Sequence, residues 1–541
     1  MGIVTPSASG RGAICPNLSG NMNNIPALFR SFIIYAACVV LAIWLGFLLA
    51  TPLTYSQLFI YGVLAFILIF PVLLRWHYPL LVLSWYMYAS VFFLPGQPAV
   101  VLPMIVLSLG ISIVQQTISH ESRFIRVPQI TLPLLFMLAM IVITARLTGF
   151  GLRVFGSATY GANKYFYLVG GILGYFALSA RRIPLERKNL YVGLFFLGGV
   201  VGVIGDLLPL LPHSFYFIYL VFRPNTNFLR SGGINSEETR LGGTWLMSMA
   251  VLSYMLARYG IRGMFLSGKP WRWILFSLFA IAGLFGGFRG FIILIGLNFV
   301  SQFFLEGLHR TKLMPIFLFA GVFGAMALIP LAEHLPYTFQ RAISFLPYKV
   351  STAARMDAQA SLDWRVQIWQ AILPQVPKCL LLGKGYVLSP LDYEFSRGPE
   401  GSFRSATFAQ NDPLALSEDF HNGPLTIIIP FGIWGCIVFL WFIIAAMRVL
   451  YLNYHYSDPA LQLINTALLS AFITQTFFFL FVGGGFNSDM LKFCGLIGLS
   501  VALNGGVRQP VRAVQTITVK GKSQSIPKMP PSPVPAFHRH R

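Results

Sequence analysis

Charged side chains are scarce in this chain. Of its 541 residues only 10% are Asp, Glu, Lys or Arg, whereas 56% are hydrophobic. Soluble domains carry about 25% charged residues, so the scarcity excludes a water-facing globule. Runs of roughly 18 or more apolar residues, the length that spans hydrocarbon as a helix, recur along most of the chain. The sequence therefore predicts an all-α polytopic membrane protein.

Acidic residues and cysteines are rarer still. The 17 Asp and Glu stand against 39 Lys and Arg, which gives a formal net charge of +22, and there are 5 cysteines. The cysteines show neither a CxxC motif nor the spacing of a metal site, so we predict no metal and no cofactor. The basic excess does not indicate nucleic acid, because Lys and Arg lie in short clusters between apolar runs, as in membrane proteins.

Basic clusters and apolar runs alternate along the chain. We predict about fourteen transmembrane helices, each long enough for a bilayer about 30 Å thick, and Lys or Arg follow most even-numbered runs. The positive-inside rule makes those ends cytoplasmic, which puts both termini in the cytoplasm. The predicted spans are 31–50, 57–74, 79–95, 99–115, 129–148, 163–180, 190–210, 241–257, 272–287, 289–307, 314–332, 422–447, 463–482 and 486–503.

One large hydrophilic insertion interrupts this pattern. It falls between spans eleven and twelve and therefore on the outer, periplasmic side, where we expect short amphipathic helices. The two ends of the chain, rich in Gly, Ser, Asn or Pro, are predicted to be disordered cytoplasmic tails. The predicted segments are an N-terminal tail (1–26), spans one to eleven (27–332), the large loop (333–420), spans twelve to fourteen (421–504) and a basic Pro-rich tail (505–541).

Four basic side chains lie on the predicted outer side, where basic residues are not expected. Arg240 stands in EETRLGGTW before span eight, and Arg289 stands in the glycine-rich turn GGFRGFIIL between spans nine and ten. Arg365 lies in SLDWRVQIW inside the large loop, and His421 lies in EDFHNGPL at the start of span twelve. These four positions are the candidates for a functional site.

Two of the arginines, taken singly, have structural explanations. Arg289 could extend its guanidinium to the membrane interface or bind a lipid phosphate. Arg365 could form an interfacial cation–π pair with Trp369, which lies four residues later on one helix face. The glycines around Arg289 favour a functional role, because they leave room for a ligand to approach the backbone and the guanidinium.

The other two positions also have alternatives. Arg240 could pair locally with Glu237 or Glu238, and His421 could lie at headgroup level beside a helix that Asp419 caps. A histidine, whose ordinary pKa is near 6.5, also suits proton transfer near neutral pH, and Asp419 is close enough in sequence to orient it. Capping and catalysis both stay open for His421 on this reasoning.

Together the four positions define a chemical task. Arginines that converge without matching acids require an anion, and guanidinium groups match phosphate oxygens bidentately. An anion at membrane level with an apolar tail is a lipid phosphate or diphosphate. A neutral histidine beside it could activate an acceptor hydroxyl while the arginines stabilise the departing diphosphate, and no metal is needed. The four residues thus predict transfer from a lipid-diphosphate donor.

The order of these motifs resembles that of a known family. RLGGTW, GGFRG, WRVQIWQAI, LLGKGY and DFHNGPL follow one another between about residues 235 and 440. This succession resembles the O-antigen ligase/polymerase superfamily of bacterial membrane glycosyltransferases, which includes O-antigen ligases, O-antigen polymerases and protein O-oligosaccharyltransferases. The resemblance implies a metal-independent, inverting, GT-C-like enzyme of the bacterial inner membrane that acts in cell-surface polysaccharide biosynthesis.

The resemblance also implies roles for individual residues. Arginines that hold the undecaprenyl diphosphate of the donor glycan are expected at Arg240, Arg289 and Arg365, and the catalytic base is expected at His421. The implied partners are a polyprenyl-diphosphate-linked glycan donor, a glycan, lipid or protein acceptor, and membrane lipids. The residues expected to support the site are Asn422, Trp369 and Asp419.

Three further positions bear on which reaction is catalysed. Gly383 and Gly385 correspond to the family's GxG motif, whereas Phe288 stands where serine usually precedes the turn arginine. A second histidine that follows the first in some ligases is absent, so ligase, polymerase and protein oligosaccharyltransferase stay open. We predict that the polar segment 394–415 is either a mobile lid on the acceptor side or an unstructured insertion.

A hypothesis of a different class is a polysaccharide or lipid-linked sugar transporter or flippase without transferase activity. Transporters more often show ionisable residues within spans and broken helices in matched halves. Here the predicted spans are almost uncharged, with Asp206 an exception near an outer end, and the polar residues gather in one outer loop. The pattern favours the transferase.

Overall fold

A computed structural model of the chain describes residues 55–94, 96–119, 124–151, 161–222, 240–387 and 420–510, with isolated helical positions between 35 and 46. Within these residues every regular element is helical, and an isolated bridge joins Ser90 to Ala99. The prediction of an all-α protein is confirmed. Most of predicted span 31–50, most of both tails and the segment 394–415 lie outside the described residues.

Sixteen α-helices are named here in chain order. They are α1 Tyr55–Ser84, α2 Val101–Ser119, α3 Pro128–Thr148, α4 Ala162–Ser179, α5 Lys188–Leu197, α6 Ile204–Leu207, α7 Gly242–Phe265, α8 Pro270–Leu284, α9 Arg289–Leu305, α10 Leu313–Leu331, α11 Tyr337–Ile343, α12 Thr352–Ile372, α13 Val376–Cys379, α14 Gly423–Tyr456, α15 Pro459–Phe478 and α16 Phe486–Asn504. Short 3-10 helices cover Leu185–Arg187, Gly198–Val203, Leu208–Leu210, His213–Leu220, Leu308–Arg310, Ala332–His334 and Leu373–Gln375, and a π-helix covers Phe479–Gly483.

Many of these helices are long and apolar enough to cross a membrane. By length and composition the described residues contain 8 such helices, and α8 and α9 are shorter apolar helices. The prediction of fourteen spans, the placing of the large loop between spans eleven and twelve, and the cytoplasmic side of the termini stay predictions. The 8 candidate spans are Phe59–Ser84, Val101–Ile118, Pro128–Thr148, Leu185–Leu207, Leu313–His334, Gly423–Tyr456, Pro459–Gly483 and Phe486–Asn504.

The N-terminal part of the described chain differs from the predicted spans. The sequence predicts two helices, 57–74 and 79–95, whereas α1 is a single helix that continues through Pro71 and Pro79 and ends at Ser84. A proline removes one helical hydrogen bond and bends a helix, but it does not have to end it. Apolar content alone therefore placed a helix break where the chain has none.

Glycines bring the central helices close together. Helix α16 is the most deeply buried candidate span, with 83% of its apolar window buried. A methyl group on Gly495 would lie 2.0 Å from the Trp85 ring nitrogen, and one on Gly498 would lie 3.0 Å from the Leu178 side chain. Small residues at helix contacts are how membrane helices approach one another closely, because lipid provides no hydrophobic drive for their association.

The polar segment that follows α10 contains a long helix that is not a candidate span. Helix α12 has 21 residues and begins at Ser351, whose side chain accepts a hydrogen bond from Ala354 N. Its buried residues Ala354, Ala358, Ile368 and Ile372 fall at helical spacing on one face. This face packs α12 against the start of α14, and it sets the positions of the polar residues on the rest of the helix.

Candidate active site

Two arginines share one carboxylate at the start of α7. Arg240 precedes α7, and its Nη2 donates a hydrogen bond to Asp357 Oδ2 on α12 at 2.7 Å. Arg341 Nε, on α11, donates to the same oxygen at 2.5 Å, and the Tyr337 hydroxyl donates to it at 3.3 Å. Three separate segments of the chain therefore meet at Asp357.

Arg289 enters this group through the turn before α9. Gly287 has φ of 64°, a left-handed value that favours glycine, and its carbonyl oxygen accepts a hydrogen bond from Arg341 Nη1. Arg240, Arg341 and Arg365 lie close enough to repel the charge of Arg289, and Asp357 lies close enough to attract it. The structure thus brings Arg240, Arg289 and Arg365 into one electrostatic group.

Arg365 and His421 are linked through α12. Arg365 Nη1 donates to Val482 O in the π-helix at 3.4 Å. Trp364, the preceding residue, has its ring centroid 5.7 Å from that of His421 in an edge contact. The imidazole therefore lies beside the helix that carries Arg365 and, two turns earlier, Asp357.

Trp369 positions the segment before His421. Its Nε1 donates to Phe420 O at 2.8 Å, and Phe420 is fully buried. The sequence predicted a cation–π pair between Arg365 and Trp369 as one alternative, but the two side chains bond to carbonyls on different segments. Trp369 supports the site through the backbone of the residue next to His421.

The start of α14 corrects one sequence interpretation. Asn422 is the N-cap residue, because its Oδ1 accepts a hydrogen bond from Leu425 N at 3.2 Å. The sequence left capping by Asp419 open as one alternative, whereas Asn422 occupies the N-cap position immediately before the first helical turn; Asp419 lies outside the described residues. His421 has φ of 46°, a left-handed value. Such a non-glycine residue stores about 1–3 kcal/mol of strain, and strained residues of this kind concentrate at functional sites.

Two members of the group, Arg341 and Asp357, are not predicted from the sequence. The expectation that the arginines lack a matching acid is wrong, because Asp357 bonds to two of them. Arg341, with 5% of its surface exposed, is the most buried arginine of the group. Both residues lie in the polar segment after α10, where charged side chains are expected to be exposed to solvent. No local motif in TFQRAISF or ARMDAQAS indicates that they are buried.

Guanidinium groups crowd together around Asp357. Within the described residues, Arg240 and Arg341 bond to its carboxylate, and Arg289 lies close enough to interact with these groups and with Arg365. Burial, and then the neighbouring Arg341, lower the pKa of Arg240, whereas Asp357 opposes the change. Arginine stays protonated in proteins. Repulsion among the guanidinium groups therefore raises the free energy of the site and does not deprotonate them. An anionic ligand would relieve this repulsion.

The GxG motif has a structural role next to the site. Gly383 and Gly385 have φ of 68° and 69°, and a methyl group on Gly383 would lie 2.1 Å from Pro430 O. Gly385 N donates to Pro430 O at 3.0 Å, where α14 is kinked at Gly432. The loop therefore fills the kink with backbone hydrogen bonds, which fixes the first turns of the helix that follows His421.

The described part of the chain contains no group of three or more His, Cys, Asp or Glu side chains placed to hold a metal ion. Phe288, which stands where the family usually has serine, packs its ring 5.3 Å from that of Trp245. It contributes an apolar wall in place of a hydroxyl group.

Comparison with known proteins finds a match over the segment that carries these residues. A protein-family model described as O-Antigen ligase matches residues 238–440, a segment that includes Arg240, Arg289, Arg365 and His421. No curated protein matches the chain. The family implies a ligase- or polymerase-like enzyme of glycan assembly with a lipid-linked glycan donor and an acceptor in a membrane. The chain is thus similar to the O-antigen ligase family over residues 238–440, and its many apolar helices indicate a multi-pass membrane protein.

Proposed function

We propose that the protein transfers or polymerises a glycan carried on a polyprenyl diphosphate, at the periplasmic face of a bacterial inner membrane. The observation that carries the proposal is the convergence of guanidinium groups around Asp357, beside the strained His421. A diphosphate carries several negative charges, and its oxygens match guanidinium forks.

The arginines have a defined part in this reaction. Arg240, Arg289 and Arg365 bind the diphosphate oxygens, and Arg341 holds the turn before Arg289 through Gly287 O. Negative charge grows on the diphosphate as the glycosidic bond breaks. Preorganised donors stabilise that charge more in the transition state than in the ground state, which lowers the barrier.

His421 is the proposed general base. Its neutral imidazole accepts the proton of an acceptor hydroxyl while the hydroxyl oxygen attacks the anomeric carbon of the donor. The bond between that carbon and the diphosphate oxygen breaks, and its electron pair leaves with the polyprenyl diphosphate. Attack opposite the leaving group inverts the anomeric carbon. No step of this scheme requires a metal ion or a cofactor.

A matched pair of variants on α12 tests the proposal. The purified protein in detergent, supplied with a synthetic polyprenyl-diphosphate glycan and an acceptor, should form product without an ion gradient, which a transporter would not. Arg365→Ala should lower turnover about 10- to 100-fold, the range for loss of a charge-assisted hydrogen bond. Arg355→Ala should leave turnover unchanged, because the Arg355 guanidinium bonds to Tyr348 O at 3.2 Å, away from the cluster.

The product distinguishes the reactions within the superfamily. A longer lipid-linked chain identifies a polymerase, and glycan on a lipid or protein acceptor identifies a ligase or an oligosaccharyltransferase. If the wild-type protein forms no product, or if Arg365→Ala and Arg355→Ala behave alike, the transferase proposal is wrong.

A further inference from the structure

The loop that follows α13, residues 380–385, packs against the kink of α14. The helix is kinked at Gly432, which has φ of 66° and ψ of −161°. A methyl group on Gly432 would lie 2.7 Å from Leu380 O and 3.0 Å from Leu381 O. The backbone of the 380–385 loop is therefore in direct contact with the backbone of the helix.

Backbone hydrogen bonds run in both directions between the loop and the kinked turn. In an unbroken α-helix Ile433 N would donate to Ile429 O, four residues earlier. Here Ile433 N donates to Leu380 O at 2.7 Å, and Ile429 O accepts from Lys384 N at 2.9 Å. The loop thus replaces one helical hydrogen bond with two of its own. Irregular backbone at membrane depth occurs only where protein satisfies its polar groups in this way.

The kinked turn lies at membrane depth. Helix α14 is a candidate span, and from Gly423 to Met447 it contains no charged residue, whereas Arg448 follows. A helix needs about 20 residues to cross the hydrocarbon core, and this uncharged stretch is only a few residues longer. Every placement of the hydrocarbon core within the stretch includes residues 429–433. The loop that is bonded to these residues therefore reaches the same depth.

The side chains of the loop are apolar and exposed. Leu381 and Leu382 each have 69% of their surface exposed. On α14 the residues that follow the kink continue this apolar surface, since Trp434 is 58% and Ile437 is 50% exposed. Lipid tails are as apolar as leucine, so hydrocarbon suits both surfaces.

We propose that the 380–385 loop is a re-entrant segment, with Leu381 and Leu382 among the acyl chains of phospholipids. Lys384 has a flexible stem that carries its ammonium group to the membrane interface. The loop follows α12 and α13 and is bonded to the first half of α14, so it fixes the height of both Arg365 and His421 relative to the bilayer. This inference concerns the membrane contact of the protein and does not depend on the proposed reaction.

A matched pair of spin-labelled variants of the full-length chain tests the proposal. Leu381→Cys and Met356→Cys each receive a nitroxide, in a background whose native cysteines are replaced and whose thermal stability matches that of the wild type. Met356 is 66% exposed and lies between Arg355 and Asp357 on α12, so the two positions are about equally exposed but differ in their expected surroundings. Ile437→Cys provides the lipid reference.

The surroundings are measured in vesicles of phosphatidylethanolamine and phosphatidylglycerol. Collisions of the nitroxide with oxygen report hydrocarbon, and collisions with a water-soluble nickel chelate report water. The ratio of oxygen to nickel collisions at position 381 should match the ratio at position 437 and exceed the ratio at position 356 severalfold. A ratio at position 381 that matches the ratio at position 356 would overturn the proposal.

A second measurement leaves every native cysteine in place. The photoreactive residue p-benzoylphenylalanine at position 381 should form adducts with phospholipid on irradiation, and at position 356 it should not. Mass spectrometry identifies the adducts. Adducts of position 381 with a peptide of the same chain, or with a second copy, would show that protein covers the two leucines, which also overturns the proposal.

Discussion

The two ends of helix α7 hold arginines in different ways. At its start, Arg240 and Arg341 converge on one oxygen of Asp357. Arg289 lies close enough to interact electrostatically with all three side chains. The arginines here face one another, and their carboxylate is shared. Convergence of like charges costs free energy in the absence of a ligand.

At the other end of α7, Arg258 and Arg272 each have neutral partners. Arg258 Nη1 donates to Asn189 Oδ1 at 3.2 Å. Arg272, at the start of α8, stacks over the Tyr259 ring at 4.2 Å and donates from Nη1 to Gly263 O at 2.8 Å. Such cation–π and carbonyl contacts are typical of arginines that anchor a helix end at the membrane interface.

The difference shows how to separate a binding arginine from an anchoring one. Charge count does not separate them, because both ends of α7 are basic. The arrangement does: Arg258 and Arg272 bond to neutral groups, whereas the arginines proposed to bind the ligand are held together against their mutual repulsion. Three predictions follow this contrast from the largest expected effect to the smallest.

The largest effect is expected at His421. His421→Ala should lower kcat about 100-fold or more, the lower end of what general base catalysis contributes. The matched control is His455→Ala, in the last turn of the same helix α14. Steady-state kinetics with a synthetic lipid-linked glycan measures both. Equal kcat values in the two variants would contradict the role of His421 as general base.

A smaller effect is expected from the arginine contrast itself. Arg289→Ala should lower kcat/KM about 10- to 100-fold, because charge-assisted hydrogen bonds are worth about 1.5–3 kcal/mol. Arg289→Lys should recover only part of it, since an ammonium group lacks the planar fork. Arg258→Ala, at the anchoring end, should change kcat/KM less than about twofold, as for most surface positions. If Arg258→Ala lowered kcat/KM more than Arg289→Ala, the arrangement of the arginines would not indicate their function.

The smallest effects compare one carboxylate at each end. Asp357→Asn removes the negative charge between Arg240 and Arg341, so pyrophosphate should inhibit severalfold more strongly while kcat falls, because the product leaves more slowly. Glu306 at the other end accepts hydrogen bonds from Ile261 N at 2.8 Å and Arg262 N at 3.0 Å.

The two carboxylates should differ in what their loss changes. Glu306→Gln should lower the free energy of unfolding by about 1–3 kcal/mol and leave pyrophosphate inhibition unchanged. Inhibition constants and thermal denaturation in detergent measure the two effects. Weaker pyrophosphate inhibition in Asp357→Asn would mean that Asp357 holds the arginines in place more than it competes with the ligand.

The sequence singles out the site residues that lie in marked local contexts. Arg289 stands in a glycine-rich turn between apolar runs, and His421 stands at the edge of another run. Such positions interrupt long apolar runs and can therefore be recognised from the sequence. The all-helical class can be predicted from composition, because few kinds of structure can place so much apolar surface in lipid.

Other features depend on contacts between distant segments. Arg341 and Asp357 look like ordinary loop charges until α11 and α12 fold against the turn at Gly287. Likewise, α1 passes through two prolines without ending. Neither feature can be predicted from the local sequence, because the packing of separate helices decides both.

The described residues on the two sides of positions 388–419 are firmly anchored. On one side Tyr386 N donates to Tyr165 Oη at 3.1 Å, and on the other Phe420 is fully buried, with its carbonyl bonded to Trp369. The entropy of closing a loop rises only slowly with its length. Insertions or deletions between these two anchors should therefore leave the imidazole of His421 in place.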